Sequence, residues 1–147
     1  MASAQDPDGE GIQDLQIEDE ITLTANTEYV LTFNIQNALD PDDVEDIGDE
    51  ILEEDNEHQF FFAFTEDIFA MPMGDGNIDA SSDTILYEDE DENGLNVGLE
   101  TFWTTGDAAT GTFTARLQHQ PDIKTATTGA TDGDTDFNLT FTLNIEE

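Results

Sequence analysis

The residues whose spacing most resembles a binding motif form an acidic run that ends at a glycine. Asp89, Asp91 and Asn93 stand at positions 1, 3 and 5 of a calcium-loop pattern, with Gly94 at position 6 and Glu100 at position 12. A hard cation needs several oxygen ligands from one tight loop, and this spacing supplies them. The pattern therefore predicts a calcium site with Ca²⁺ as its cofactor.

The same run also has a simpler interpretation as a β-hairpin. Residues 84–88 and 96–105 resemble strands, whereas a calcium loop of this type lies between helices. Asn93-Gly94 is the strongest short sequence signal for a hairpin turn. In a chain this rich in acids, chance matches to a carboxylate pattern are frequent. A hairpin with or without bound calcium remains open from the sequence.

Two histidines form a second candidate site. His58 and His119 each lie at the edge of an apolar strand and beside a glutamine, and Glu57 precedes His58. Two imidazoles and one carboxylate suffice for zinc or another transition metal if the two strands are neighbours. The alternative is that both histidines only make hydrogen bonds at strand ends.

Two aromatic residues form a third candidate binding site. Trp103 and Tyr87 could form a stacking platform for a sugar, although a single tryptophan in a sandwich is ordinarily part of the core.

The sequence gives little support for catalysis. The chain has no cysteine, and its serines lie in loop-like sequence without a nucleophile motif. Pairs of carboxylates, which glycoside hydrolases use, are expected by chance among so many acids and do not indicate an active site. We therefore expect a protein that is not an enzyme.

The charge balance limits the partners. The chain has 37 Asp and Glu against two basic residues, Arg116 and Lys124, and a net charge of −35. Nucleic acid requires a basic patch, so it is excluded as a partner, as are anionic membrane surfaces. No apolar run is long enough to insert directly in a membrane. Cations, a neutral ligand or a protein partner remain, and we expect a monomer.

The net charge also indicates the salt concentration in which the protein works. Carboxylates spread along a chain that keeps 36% hydrophobic residues indicate a folded domain whose repulsion is screened by salt. At about 1 M salt the Debye length is about 3 Å, which removes most repulsion between carboxylates that are not adjacent. The composition predicts a protein of a halophilic organism.

Alternation of apolar and polar residues predicts the architecture. It is clearest at 137–145 and recurs at 112–118 and 29–35, while 60–64 is apolar on both sides. Further strands are predicted at 21–23, 84–88, 96–105 and, weakly, 12–17. Short strands between frequent turns predict an all-β fold, an antiparallel β-sandwich that is immunoglobulin-like.

One segment has helical spacing. Val44, Ile47, Ile51 and Leu52 predict a short acidic helix near 41–54. Asp40 is its expected N-cap and Pro41 its first position. We divide the chain into a flexible N-terminal segment, 1–11, and a single β-sandwich domain, 12–147.

Several segments resemble a family of small Gram-negative lipoproteins, uncharacterised and often labelled "type 1 periplasmic binding fold". The similar segments are 6–9, 23–29, 57–62, 104–106 and 119–121, in this order along most of the chain. The label implies an α/β fold, which the absence of strand–helix alternation contradicts. The resemblance implies a lipid-anchored protein of the periplasm or cell surface whose anchoring cysteine preceded residue 1. It carries no catalytic residues to transfer.

The sequence as a whole predicts a non-enzymatic binding or structural module at the surface or in the periplasm of a halophile. The alternatives are a calcium-dependent module that uses the acidic hairpin, and a carbohydrate-binding module that uses Trp103 and Tyr87.

Overall fold

The structure is a computed structural model that describes residues 1–6, 15–40, 42–74, 76, 78 and 84–147. Its strands are β1 (Ala4–Gln5), β2 (Gln16–Ile17), β3 (Ile21–Thr24), β4 (Glu28–Thr32), β5 (Gln36–Asn37), β6 (Glu45–Asp46), β7 (His58–Phe64), β8 (Phe69–Met71), β9 (Leu86–Tyr87), β10 (Glu100–Thr105), β11 (Ala109–His119) and β12 (Asp134–Glu146). The helix α1 spans Ile47–Glu53.

Two four-stranded sheets make up the body of the fold. One has the order β3-β12-β11-β7, and in the other β10 pairs with β4, β8 and β9. The division of the strands between two sheets is that of a β-sandwich. The predicted all-β, sandwich-like fold is confirmed.

One strand pair departs from the antiparallel prediction. β3 runs parallel to β12, with Ile21 opposite Leu143. The turn after β3, where Asn26 has a φ of 52°, carries the chain across to the other sheet, and there β4 pairs with β10. β3 and β4 therefore do not form a hairpin with each other, although both have the predicted alternation.

The core lies between the two sheets and is mostly aromatic. β7 is buried on both faces, and Phe60, Phe61 and Phe62 are each at most 4% exposed. Along β12 the predicted alternation is observed, and its apolar side ends in the buried Leu143 and Ile145. Apolar burial of this extent is the main stabilising contribution, at about 25 cal/mol per Å².

The helix is shorter than predicted and begins six residues later. Glu45–Asp46 pairs with Gln36–Asn37 as a strand, so the chain is extended where a first helical turn was expected. Asp46, and not Asp40, is the N-cap, and its carboxylate accepts a hydrogen bond from the Gly48 amide at 3.0 Å. The proposed first helical residue, 41, lies outside the described residues. In the described part of the chain, no helix is both long and apolar enough to cross a membrane.

The N-terminal segment differs in part from its prediction. Ala4–Gln5 pairs with Gln16–Ile17 in a small two-stranded sheet, so part of the segment predicted to be flexible is held by strand pairing. Residues 7–14, which contain the predicted boundary at 11/12, lie outside the described residues.

Candidate functional site

The two histidines meet at one end of the first sheet. His58 is the first residue of β7 and His119 the last of β11, and the antiparallel register places them directly opposite each other. Their rings stack with centroids 4.6 Å apart and planes within 5°. The condition that the sequence left open, that the two strands be neighbours, is met.

His58 is buried and held in one orientation. Its Nδ1 lies 3.0 Å from the backbone carbonyl of Glu54, and because a carbonyl only accepts, Nδ1 carries the hydrogen. Nε2 is then the nitrogen available to a metal, as in many sites where the other ring nitrogen donates to a carbonyl. Nε2 lies 3.5 Å from the Asp136 carboxylate.

The surroundings raise the pKa of His58 above its ordinary value. Burial by itself lowers this pKa, but the Asp136 carboxylate and the Glu54 carbonyl together outweigh burial because both favour the protonated ring. The proton on Nε2 is thus the competitor that a metal ion must displace.

His119 is half-buried and has a carboxylate of its own. Its Nε2 lies 3.3 Å from the Glu57 carboxylate, which the sequence had named as a candidate third ligand. The ligand atoms of Glu54, His58 and His119 all lie within 4.8 Å of one another, and this is the group with metal-ligand spacing among the described residues. The histidine site is defined here as these three residues together with Glu57 and Asp136.

The geometry fits a metal ion after a small adjustment. Ligand atoms around tetrahedral zinc lie about 3.4 Å apart, given bonds of about 2.0–2.1 Å. Two parallel stacked rings cannot both direct a lone pair at one ion, so one ring has to rotate. His119 is the ring that can rotate, because His58 is fixed by its bond to Glu54. Exposed Glu54, just beyond α1, can approach the ion as the third ligand.

Buried amides support the site from below. Gln118 and Gln120, on either side of His119, are fully buried. Both donate through Nε2 to the carbonyl of Asp132, at 3.0 and 3.1 Å. The backbone N–H of Gln120 donates to the backbone carbonyl of Glu57 at 2.6 Å. These bonds fix the loop after β11 and with it the position of His119, a role that the sequence did not reveal.

Comparison with known proteins adds no relative. No family model, no curated protein and no solved structure matches the chain. The resemblance to small lipoproteins therefore stays a prediction, and the function has to be argued from the site.

The predicted calcium loop is the turn of a hairpin. β9 pairs with β10, and an isolated bridge joins Glu90 to Asn96. The Asp89 carboxylate accepts hydrogen bonds from the amides of Gly98, Leu99 and Glu100, at 2.8–3.2 Å. This carboxylate therefore closes the base of the hairpin. The Glu100 side chain is exposed at the start of β10.

Asp91 has a structural partner of opposite charge. Its Oδ1 accepts from the amides of Asn93 and Leu95, and Lys124 Nζ lies 3.0 Å from its Oδ2, with both side chains at most 1% exposed. Burial alone would raise the pKa of Asp91, but the Leu95 amide, the Lys124 ammonium and the Asn93 amide together lower it. Calcium binding at this loop stays a prediction, and it would require the ion to replace Lys124.

Of the aromatic pair, Trp103 lies in the core and Tyr87 is partly buried against it. Trp103 is 4% exposed, is surrounded by phenylalanines and donates from Nε1 to the Thr101 hydroxyl at 2.8 Å. The Tyr87 hydroxyl donates to the Phe60 carbonyl at 2.6 Å. The indole offers no open face to a sugar, so the predicted platform is not formed.

A cleft opens beside the histidine site, between α1 and the first sheet. Its volume is about 330 Å³. Its apolar walls are Ile35, Ile47, Ile51, Leu117 and Phe137, and its polar rim is Glu50, Glu54, His58 and Asp136. We call it the helix–sheet cleft. The sequence did not reveal it, because the helix that forms one wall was predicted with the wrong start.

Proposed function

We propose that the protein is a non-enzymatic binding module that holds a divalent transition metal, with zinc as the reference ion, at the histidine site. The observation that carries the proposal is the direct opposition of His58 and His119 with the Glu54 carboxylate within 4.8 Å. Imidazole nitrogens select zinc, copper or nickel over calcium and magnesium, which prefer oxygen.

The charge of the chain supports a cationic ligand. A net charge of −35 concentrates cations near the surface, and only ions with an affinity for nitrogen would be retained at the histidines in strong salt. We further propose that the module works in the periplasm or at the cell surface of a halophile. The acidic composition supports the salt environment, and the resemblance to lipoproteins supports the location.

Calorimetric titration with ZnCl₂ tests the proposal. The protein is held in 1 M NaCl with excess MgCl₂, so that magnesium occupies the surface carboxylates. We expect one zinc ion per chain, and an affinity at least tenfold lower in His119→Ala and clearly lower in Glu54→Gln. Glu53→Gln removes a carboxylate of α1 outside the site and is the matched control. Equal zinc binding by the wild-type protein and His119→Ala would contradict the proposal.

A further inference from the structure

The helix–sheet cleft combines an apolar interior with an acidic rim. Five apolar side chains form its walls, while Glu50, Glu54 and Asp136 lie at its rim with His58. Its volume of about 330 Å³ is at the lower end of the range for small-molecule sites, which are mostly apolar with a few polar groups that orient the ligand. The cleft can therefore hold one small organic molecule.

Neither a lysine nor an arginine of the cleft neutralises the charge of the rim, and His58 faces only Asp136. The chain has only two lysine or arginine residues, and neither lines the cleft. Lys124 is buried against Asp91. The Arg116 guanidinium donates to the side chains of Gln118 and Thr135. Within the rim, Asp136 lies 3.5 Å from His58 Nε2, so Glu50 and Glu54 are the carboxylates that the lining itself leaves for a ligand.

We infer that the helix–sheet cleft binds a small organic cation, with its apolar body against the walls and its ammonium group beside Glu50 and Glu54. An anion would meet like charges at the rim. A neutral apolar molecule would leave the carboxylates without a charged partner. The cation satisfies both parts of the cleft.

This inference goes beyond metal binding and does not depend on it. Glu54, His58 and Asp136 belong to both sites, but Glu50 lines only the cleft and His119 belongs only to the histidine site. A change at Glu50 therefore tests the cleft, and a change at His119 tests the metal site.

The test uses three probes of similar shape: 2-phenylethylammonium, 2-phenylethanol and phenylacetate. Each is titrated into the full chain in 1 M NaCl with EDTA present, and binding is followed by amide chemical shifts. We expect saturable binding of the ammonium compound, with shifts at Ile47, Leu117 and Phe137. The alcohol should bind about fivefold more weakly, because it lacks a solvent-accessible ion pair worth about 1 kcal/mol. The carboxylate should bind more weakly still, because the rim repels it.

Variants separate the charge from the apolar walls. Glu50→Gln should weaken the ammonium compound about two- to threefold and leave the alcohol unchanged. Glu53→Gln, on the same helix but outside the cleft, should change neither. Ile35→Trp, which fills the cleft from a half-buried position, should abolish binding of both while circular dichroism shows an intact fold.

Two results would overturn the inference. The alcohol could bind as tightly as the ammonium compound, which would make the cleft an apolar site without preference for cations. The second such result is that none of the three probes gives saturable chemical-shift changes. His119→Ala should leave all probe affinities unchanged, so loss of zinc binding and loss of probe binding are distinguishable.

Discussion

At the scale of single residues, one of the two basic side chains has the most consequential position. Lys124 is buried, pairs with Asp91 on the hairpin and donates to the Asp55 carbonyl at 2.7 Å. It thus joins the loop after β11, the β9–β10 hairpin and the turn before His58. In a chain with 37 acids and two basic residues, this lysine therefore has a structural role.

Removal of this charge should destabilise the fold. Lys124→Met leaves the Asp91 carboxylate buried without its cation, which costs about 3–5 kcal/mol for a buried pair. Asp91→Asn combined with Lys124→Met should recover part of this loss, because no buried charge then remains unpaired. Unfolding in guanidinium chloride at constant high salt measures both. An unfolding free energy unchanged in Lys124→Met would contradict the structural role.

The pH dependence of Asp91 has a defined sign. Its pKa is lowered in the folded state, so the stabilisation it contributes is present above its unfolded pKa, about 3.9, and is lost as the pH falls through the lowered folded pKa. The wild-type protein should therefore be more stable than Asp91→Asn at neutral pH, and this difference should shrink below about pH 4. The difference between the two unfolding curves isolates Asp91 from the other carboxylates. A difference that stays constant down to pH 2 would contradict the assignment.

At the scale of elements, the sequence was most informative where a strand alternates over many residues. β12 and β11 were predicted almost to their ends, because the apolar side of each strand must face the core. β8 was missed because three residues are too few to show a period, although Phe69 lies in the core. The helix start was misplaced because Asp40 and Asp46 are equally good N-caps in isolation. Only the pairing of β5 with β6 decides between them.

The candidate site was predictable in part for the same reason. The sequence named both histidines and Glu57, since these lie next to clearly patterned strands. The register that sets His58 opposite His119 depends on pairing across 61 residues, which alternation alone does not determine. The approach of Asp136 to His58 follows from the β11–β12 pairing, which the sequence does not determine either.

The N-cap of α1 gives a prediction at this scale. Asp46→Ala removes the acceptor for the Gly48 amide and should lower the unfolding free energy by about 1 kcal/mol. Asp42→Ala, in the turn closed by Asp40, is the control and should have little effect. Thermal unfolding of the three proteins at 1 M NaCl makes the comparison. Equal losses in both variants would show that Asp46 is not the cap.

At the scale of the whole molecule, we expect the net charge to set the salt concentration at which the fold is stable. The self-repulsion of a net charge of −35 opposes the compact state, and screening reduces this repulsion. The aromatic core between the sheets supplies the opposing stabilisation. We therefore expect the charge to suit the protein to strong salt, and we propose that the histidine site and the cleft bind its ligands.

Salt should accordingly control folding. We expect far-ultraviolet circular dichroism to show β structure at 1–3 M NaCl and its loss in dilute buffer with EDTA. An equal concentration of sucrose is the control for effects other than screening and should not replace the salt. A fold that is fully retained in dilute buffer without divalent ions would contradict the halophilic interpretation.

The central proposal is that His58 and His119 bind one metal ion together. Nitrogen NMR of the two histidine side chains, with the protein labelled with ¹⁵N-histidine in 1 M NaCl, tests it most directly. Addition of zinc should shift one nitrogen of each ring, Nε2 in His58, and both shifts should be complete at one equivalent. Side-chain nitrogens that do not respond, or a response from only one of the two rings, would contradict the proposal.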